Sequence, residues 1–267
     1  MNALALLGRY AQASLRAQMQ YPASAAMLFF GHLASTALEI VATWALFHRF
    51  GDVHGWSLGE VCVFFGLINI TFSLADFVTR GFDVFGTEMV RTGAFDRILL
   101  RPRSATLQLV GYEFRLSRFG RTFQGLLVLG AGVHLTGMGW SAADTAMALF
   151  AIAGGVALFA GLMVLQATLA FWTVESLEVA NLLTYGGVQA AQYPLSIYAA
   201  WFRTFLTLVV PIACVGYYPV LTILGRDDPL GAPAWVGPVA PLAGFAFLAV
   251  SFLAWRFGVS KYTSTGS

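Results

Sequence analysis

Seven runs of this chain are long and apolar enough to fill a helix across a bilayer. They are 23–47, 61–79, 118–136, 146–172, 178–199, 204–224 and 238–256, each near the roughly 20 residues that a hydrocarbon core of about 30 Å requires. Such segments must satisfy their backbone polar groups internally, because the bilayer core holds no water. The expected fold is an all-α integral membrane domain of one piece. Composition agrees, with 58% hydrophobic and 10% charged residues and a mean hydropathy of +0.73, outside the range of soluble domains. A net charge of only +2 gives no case for nucleic acid.

Basic residues set the expected sidedness. Arg9 and Arg16, the eight arginines from Arg80 to Arg121, and Arg256 with Lys261 make twelve of the fifteen basic residues, and all should be cytoplasmic. Seven crossings would put the two ends on opposite faces, so one run should not cross. The run 204–224 is interrupted by Pro211, Gly216 and Pro219, and Trp201, Tyr217, Tyr218 and Trp235 surround it. The expectation is six spans, both termini inside, and a re-entrant outer hairpin at 204–224. Residues 1–21 space Leu4, Leu7, Ala11, Leu15 and Met19 on one face of a retained interfacial helix, which Pro22 ends. Ala151 with Gly155 and Ala157 with Gly161 let helices approach closely, within the chain or between subunits.

Ionisable residues inside spans are costly and mark function or pairing. Glu39 stands in the first span, as a substrate-path residue or a hydrogen-bond partner of another helix. Asp76 stands four residues before Arg80, at the spacing of a local ion pair. Arg203 sits beside Trp201, where a long side chain can reach the headgroups. Glu175 and Glu178 form a polar turn with Asn181 between the fourth and fifth spans. These five, Glu39, Asp76, Glu175, Glu178 and Arg203, are the candidates for a substrate path or subunit interface. The four histidines are scattered, Cys62 and Cys214 are expected to be buried packing residues, and no spacing suits a metal. The single lysine, Lys261, lies between Ser260 and Tyr262, so the chain has no phosphate-binding P-loop. Energy for any driven process would come from another subunit.

The region 80–117 is the most patterned polar stretch. Phe82 to Thr92 can form a short helix carrying Glu88 and Arg91, with Gly93 as its stop. A second apolar ridge follows, Phe95, Ile98, Leu99 and Leu100, closed by Arg101 and Pro102. A basic juxtamembrane loop contacts lipid headgroups; one with its own ridge suggests a docking element as well.

Here the chain resembles the membrane subunits of ATP-binding-cassette exporters of the type-2 permease class. The likeness is carried by Glu88-Met-Val-Arg-Thr-Gly93-Ala-Phe-Asp96-Arg-Ile-Leu99-Leu-Arg-Pro102, where many relatives have Thr-Leu after the glycine. It extends through Trp172-Thr-Val-Glu175-Ser-Leu-Glu178-Val-Ala-Asn181, Gln192-Tyr-Pro194-Leu-Ser-Ile-Tyr198 and Tyr217-Tyr-Pro219, to Trp255-Arg-Phe-Gly258 and Tyr262-Thr-Ser-Thr-Gly-Ser267. The resemblance implies a bacterial inner-membrane permease and a cytoplasmic coupling helix between spans two and three. It also implies a second permease subunit, the same or different, and two separate ATPase subunits that hold ATP and Mg. It implies no cofactor in this chain. Glu88, Arg91, Gly93, Phe95, Asp96, Ile98, Leu99, Arg101 and Pro102 would then form the ATPase contact. The expected activity is export of a hydrophobic or amphipathic drug, lipid or peptide. A lipid-modifying enzyme using Asp76, Glu175 and Glu178, or a channel or scramblase without an ATPase, are the alternatives.

Overall fold

The computed structural model describes residues 3–173 and 177–263. The regular structure of the described residues is helical, joined by turns and loops, apart from one isolated bridge between Val53 and Trp56. In order they are α1 (Ala3–Met19), α2 (Pro22–Phe50), α3 (Leu58–Asp83), a π-helix Phe85–Val90, α4 (Ala94–Leu99), α5 (Ala105–Val110), α6 (Arg118–Thr136) and α7 (Ala142–Leu169). There follow α8 (Leu177–Ala191), a short 3-10 turn, α9 (Ala200–Thr204), a second π-helix Phe205–Val209, α10 (Ile212–Val215), α11 (Tyr217–Leu224), α12 (Val236–Val239) and α13 (Leu242–Lys261).

Local chemistry starts the two best-buried helices. Ser57 accepts from the Glu60 amide while Glu60 accepts from the Ser57 amide at 2.8 Å, and Ser141 with Asp144 repeats the arrangement on α7. Each pair satisfies two of the amide groups that a helix start leaves unbonded. Among the described residues four stretches are long and apolar enough to cross a membrane: Pro22–Phe50, Leu58–Val90, Ala142–Leu169 and Val236–Lys261. A fifth is added if Ala200–Val209 and Ile212–Leu224, bent by 72°, count as one. Two expected spans fall outside that set. The helix α6 has Arg118, Arg121 and Gln124 in its first turns, and α8 ends at Ala191 rather than 199. Pro194 explains the early stop, since a proline disfavours helical backbone in the residue before it.

The core is α3, enclosed by α6 and α7, with α13 against α7. On α3 and α6, Gly66 faces the backbone of Gly125 and Leu129, and Gly132 faces Gly59 and Val63, with no room for a Cβ. Gly155 meets Thr71, and Gly161 meets Phe247 and Ser251, so the small-residue pairs of α7 serve packing within the chain. The helix α2 is attached loosely and turns Met27, Leu28, Phe30, Leu38 and Val41 outward. Ser196 and Arg226, which bracket the bent pair, contact Trp56 and Glu60 respectively at the start of α3. The bent segment therefore leaves and returns to one end of the bundle, the end opposite the arginine-rich loop.

Candidate functional site

The arginine-rich loop is an ordered device. After α3 the chain winds into the π-helix, and Gly93 takes a left-handed conformation, φ 67°, which side-chain-bearing residues disfavour. That turn launches α4 at a new angle, with Phe95 pointing into the bundle. Phe95 is fully buried and meets Phe85 edge-on at 4.9 Å and Tyr262 edge-on at 5.0 Å. Phe171 and Trp255 complete the cluster. The Tyr262 hydroxyl donates to Asp96 at 3.0 Å. The buried Gln108 amide donates to the carbonyls of Ile98 and Arg103, pinning α4 to α5.

The expected contact residues thus divide in two. Glu88, Arg91, Leu99, Arg101 and Pro102 are exposed, as are Arg97 and Leu100. Phe95 contributes no surface, and Gly93, Asp96 and Ile98 are half-buried. The sequence ridge placed Phe95 beside Leu99 as an outward anchor; the aromatic rings of Phe85, Phe171, Trp255 and Tyr262 draw it inward instead. A groove of about 680 Å³ runs beside the exposed set, lined by Tyr10, Glu88, Arg97, Ile98, Arg101 and Tyr112. Tyr112 donates to Glu88 at 2.7 Å, and this bond, then burial, pushes its hydroxyl up to about 12. The helix α1 closes the loop's far side. Ser14 and Gln18 hydrogen-bond the backbone of Phe114 and Leu116, a polar face that the apolar spacing of Leu4, Leu7, Ala11, Leu15 and Met19 did not indicate.

Behind the loop lies a polar seam. Asp76 pairs with Arg118 of α6 at 2.9 Å, not with Arg80. Arg80 instead pairs with Asp83 and lies 3.9 Å from Glu113. Packing α6 onto α3 supplied Asp76 with a cation across the helix pair, and the local i, i+4 choice lost. Arg121 donates to Asn69 at 2.8 Å and lies over the Phe72 ring. Glu39 accepts from Gln189 of α8 at 3.4 Å and leaves Oε2 buried without a partner among the described residues. Arg203 lies on α9, apart from this seam, and forms no ion pair among the described residues. Glu175 lies outside the described residues, and only the helical backbone of Glu178 is described. Among the described residues no cluster of three His, Cys, Asp or Glu could hold a metal ion.

A profile of the family described as ABC-2 family transporter protein matches residues 33–266. The chain belongs to this family. It is accordingly a multi-pass membrane permease of the ABC-2 kind, and membership implies association with an ATP-binding subunit. No curated protein and no solved structure matches the chain. In this ABC-2 permease the loop and the seam both build charge into an apolar frame. Sequence reasoning missed Phe85, Phe171, Trp255 and Tyr262 as supports of α4. The signal was present in the closing motif Trp255-Arg-Phe-Gly258 and Tyr262, which marked likeness without showing what it touched. A Cβ at Gly258 would collide with Phe171, so that glycine admits the cluster.

Proposed function

We propose that the chain is the membrane-spanning subunit of an ATP-driven exporter, moving a hydrophobic or amphipathic molecule such as a drug, lipid or peptide out of the cytoplasm. ATP and Mg belong to a separate ATPase chain. In this reading the chain crosses a bacterial inner membrane six times with both termini cytoplasmic, the segment 204–224 is re-entrant, and a second permease subunit completes the path. The helix α4 is the coupling helix. Leu99 and Leu100 enter a groove of the ATPase, while Glu88, Arg91, Arg97 and Arg101 set register and Pro102 ends the contact. Apolar anchors contribute most of the affinity of such a contact, and charges contribute specificity.

The observation that carries this reading is the seating of α4. Its inner face is fastened through Phe95 and Asp96 to Phe85 of the π-helix, to Phe171 just after α7, and to Trp255 of α13 with Tyr262 just after it, while its outer face presents two bare leucines among arginines. A short helix so held can pass a push into the spans. The test is co-purification of the tagged chain with its ATPase, identified by mass spectrometry. Wild type retains the ATPase, and Leu99→Asp with Leu100→Asp loses it. Retention by the folded double variant would overturn the assignment of α4.

A further inference from the structure

We propose that Arg121 is an anion subsite of the transport path, taking the acidic headgroup of an amphipathic substrate. The proposal rests on the transporter reading above. Its starting point is direction. The register of the antiparallel α3 and α6 is set by Gly59 against Thr136, Gly66 against Leu129, Ile70 against Gly125, and Ser73 bonded to Thr122. This register puts the Arg121 backbone level with Leu74. Yet its guanidinium reaches Asn69, five positions, or about 7 Å at 1.5 Å per residue, further from the arginine-rich end. A long cationic side chain in a span ordinarily extends toward the nearer interface. Arg121 does the reverse.

What it finds there is incomplete. Asn69 is neutral and uses one N–H, that of Nε. The Phe72 ring, 5.4 Å from Cζ, supplies a cation–π contact. Among the described residues no carboxylate lies within ion-pair distance of Arg121. Glu39 and Asp76 act on it only at longer range, and Asp76 is committed to Arg118. One turn further along α6, Gln124 is 5% exposed and leaves both amide atoms without a partner among the described residues. A cation held by a neutral amide, with no hydrogen bond from its outer donors among the described residues and an unsatisfied amide one turn away, is matched by an oxyanion. Tyr185, 37% exposed and in edge contact with the buried Phe72, places apolar surface next to that charge. An acidic headgroup with a hydrocarbon tail satisfies both. Glu39 at longer range makes the empty site tolerable and opposes tight retention, as a path that must release its cargo requires.

The purified full chain, in nanodiscs of phosphatidylcholine, is titrated with dodecyl phosphate, dodecyl maltoside, dodecyltrimethylammonium and inorganic phosphate. Wild type should bind dodecyl phosphate most tightly. Arg121→Gln should weaken that binding about tenfold or more, the size of one charged hydrogen bond, and Arg121→Lys should keep part of it. Asn69→Asp leaves the arginine in place but supplies its counter-ion, and it should abolish the preference even if Arg121→Gln misfolds. Saturable, Arg121-dependent binding of inorganic phosphate alone would keep the subsite and make a soluble anion its source. Equal binding of dodecyl phosphate and dodecyl maltoside by wild type, preference for the cationic amphiphile, or an unchanged Asn69→Asp variant would overturn the proposal. None of these outcomes depends on ATPase capture, so the two readings fail separately.

Discussion

Tyr262 and Asp96 are 166 positions apart in the chain and joined by a 3.0 Å hydrogen bond. The contact ties the last turn of the bundle to the short helix α4. Removing the hydroxyl while keeping the ring isolates that tie. A hydrogen bond to a charged group contributes about 1.5–3 kcal/mol when well shielded; half-exposed, the lower end applies. Tyr262→Phe should therefore open the loop more often and raise tryptic cleavage after Arg97 and Arg103 about tenfold, with no change in the melting temperature of the bundle. Unchanged cleavage would show that the aromatic packing alone holds α4.

Phe95 and Leu100 lie on one short helix and should separate stability from docking. Phe95→Ala removes a fully buried ring, and comparable core truncations cost about 3–5 kcal/mol. Its signature is a lower melting temperature in detergent. Leu100, 85% exposed, should tolerate alanine within about 0.5 kcal/mol while ATPase capture falls.

The Asp76 to Arg118 pair makes a different prediction from a local Asp76 to Arg80 pair. Asp76→Ala leaves Arg118 without its partner beside a 2%-exposed site and should cost about 3 kcal/mol, as breaking buried pairs does. Adding Arg118→Met should recover most of the loss. Arg80→Ala, at the more exposed ladder with Asp83 and Glu113, should cost under about 1 kcal/mol. Thermal unfolding of the four proteins in one detergent decides it.

Tyr112 offers a pH test outside the spans. Its hydroxyl is pushed up to about 12, first by donating to Glu88. A raised value means that the neutral form is favoured by folding, so this contribution is complete below the ordinary tyrosine value of about 10. It is lost as pH rises through the folded value. Glu88→Gln should return the titration toward the ordinary value. The ultraviolet difference spectrum between each protein and its Tyr112→Phe counterpart isolates the one hydroxyl.

Thr222 is exposed at the end of α11. In a background lacking Cys62 and Cys214, Thr222→Cys should react with a membrane-impermeant maleimide added from outside cells. Labelling only after the inner face is opened would refute the re-entrant reading of the bent segment.

The all-helical class was legible because apolar runs near twenty residues leave few other options, and Pro211 showed where a helix breaks. Gly93 was equally legible as a stop. The direction of Phe95 was not, since which side of a six-residue helix turns inward depends on rings at 171, 255 and 262. Asp76 was misread for a related reason. Its neighbour in sequence was basic, but its neighbour in space is set by the α3 and α6 register, which no local spacing encodes. Arg121 drew no separate notice within a crowd of arginines, and only the register shows that it points the wrong way for an anchor.

The glycine seam between α3 and α6 has a mechanical consequence. With Gly66 and Gly132 against opposing backbone, the two helices pack backbone to backbone with no room for a side chain between them, and packing this close favours movement of the pair as one body. Its two ends carry the π-helix below α4 and the loop around Trp56, where Arg226 stacks at 4.0 Å. A displacement applied at one end arrives at the other as a lever's does, by rotation of the whole bar, with α2, held by few contacts, free to stay behind.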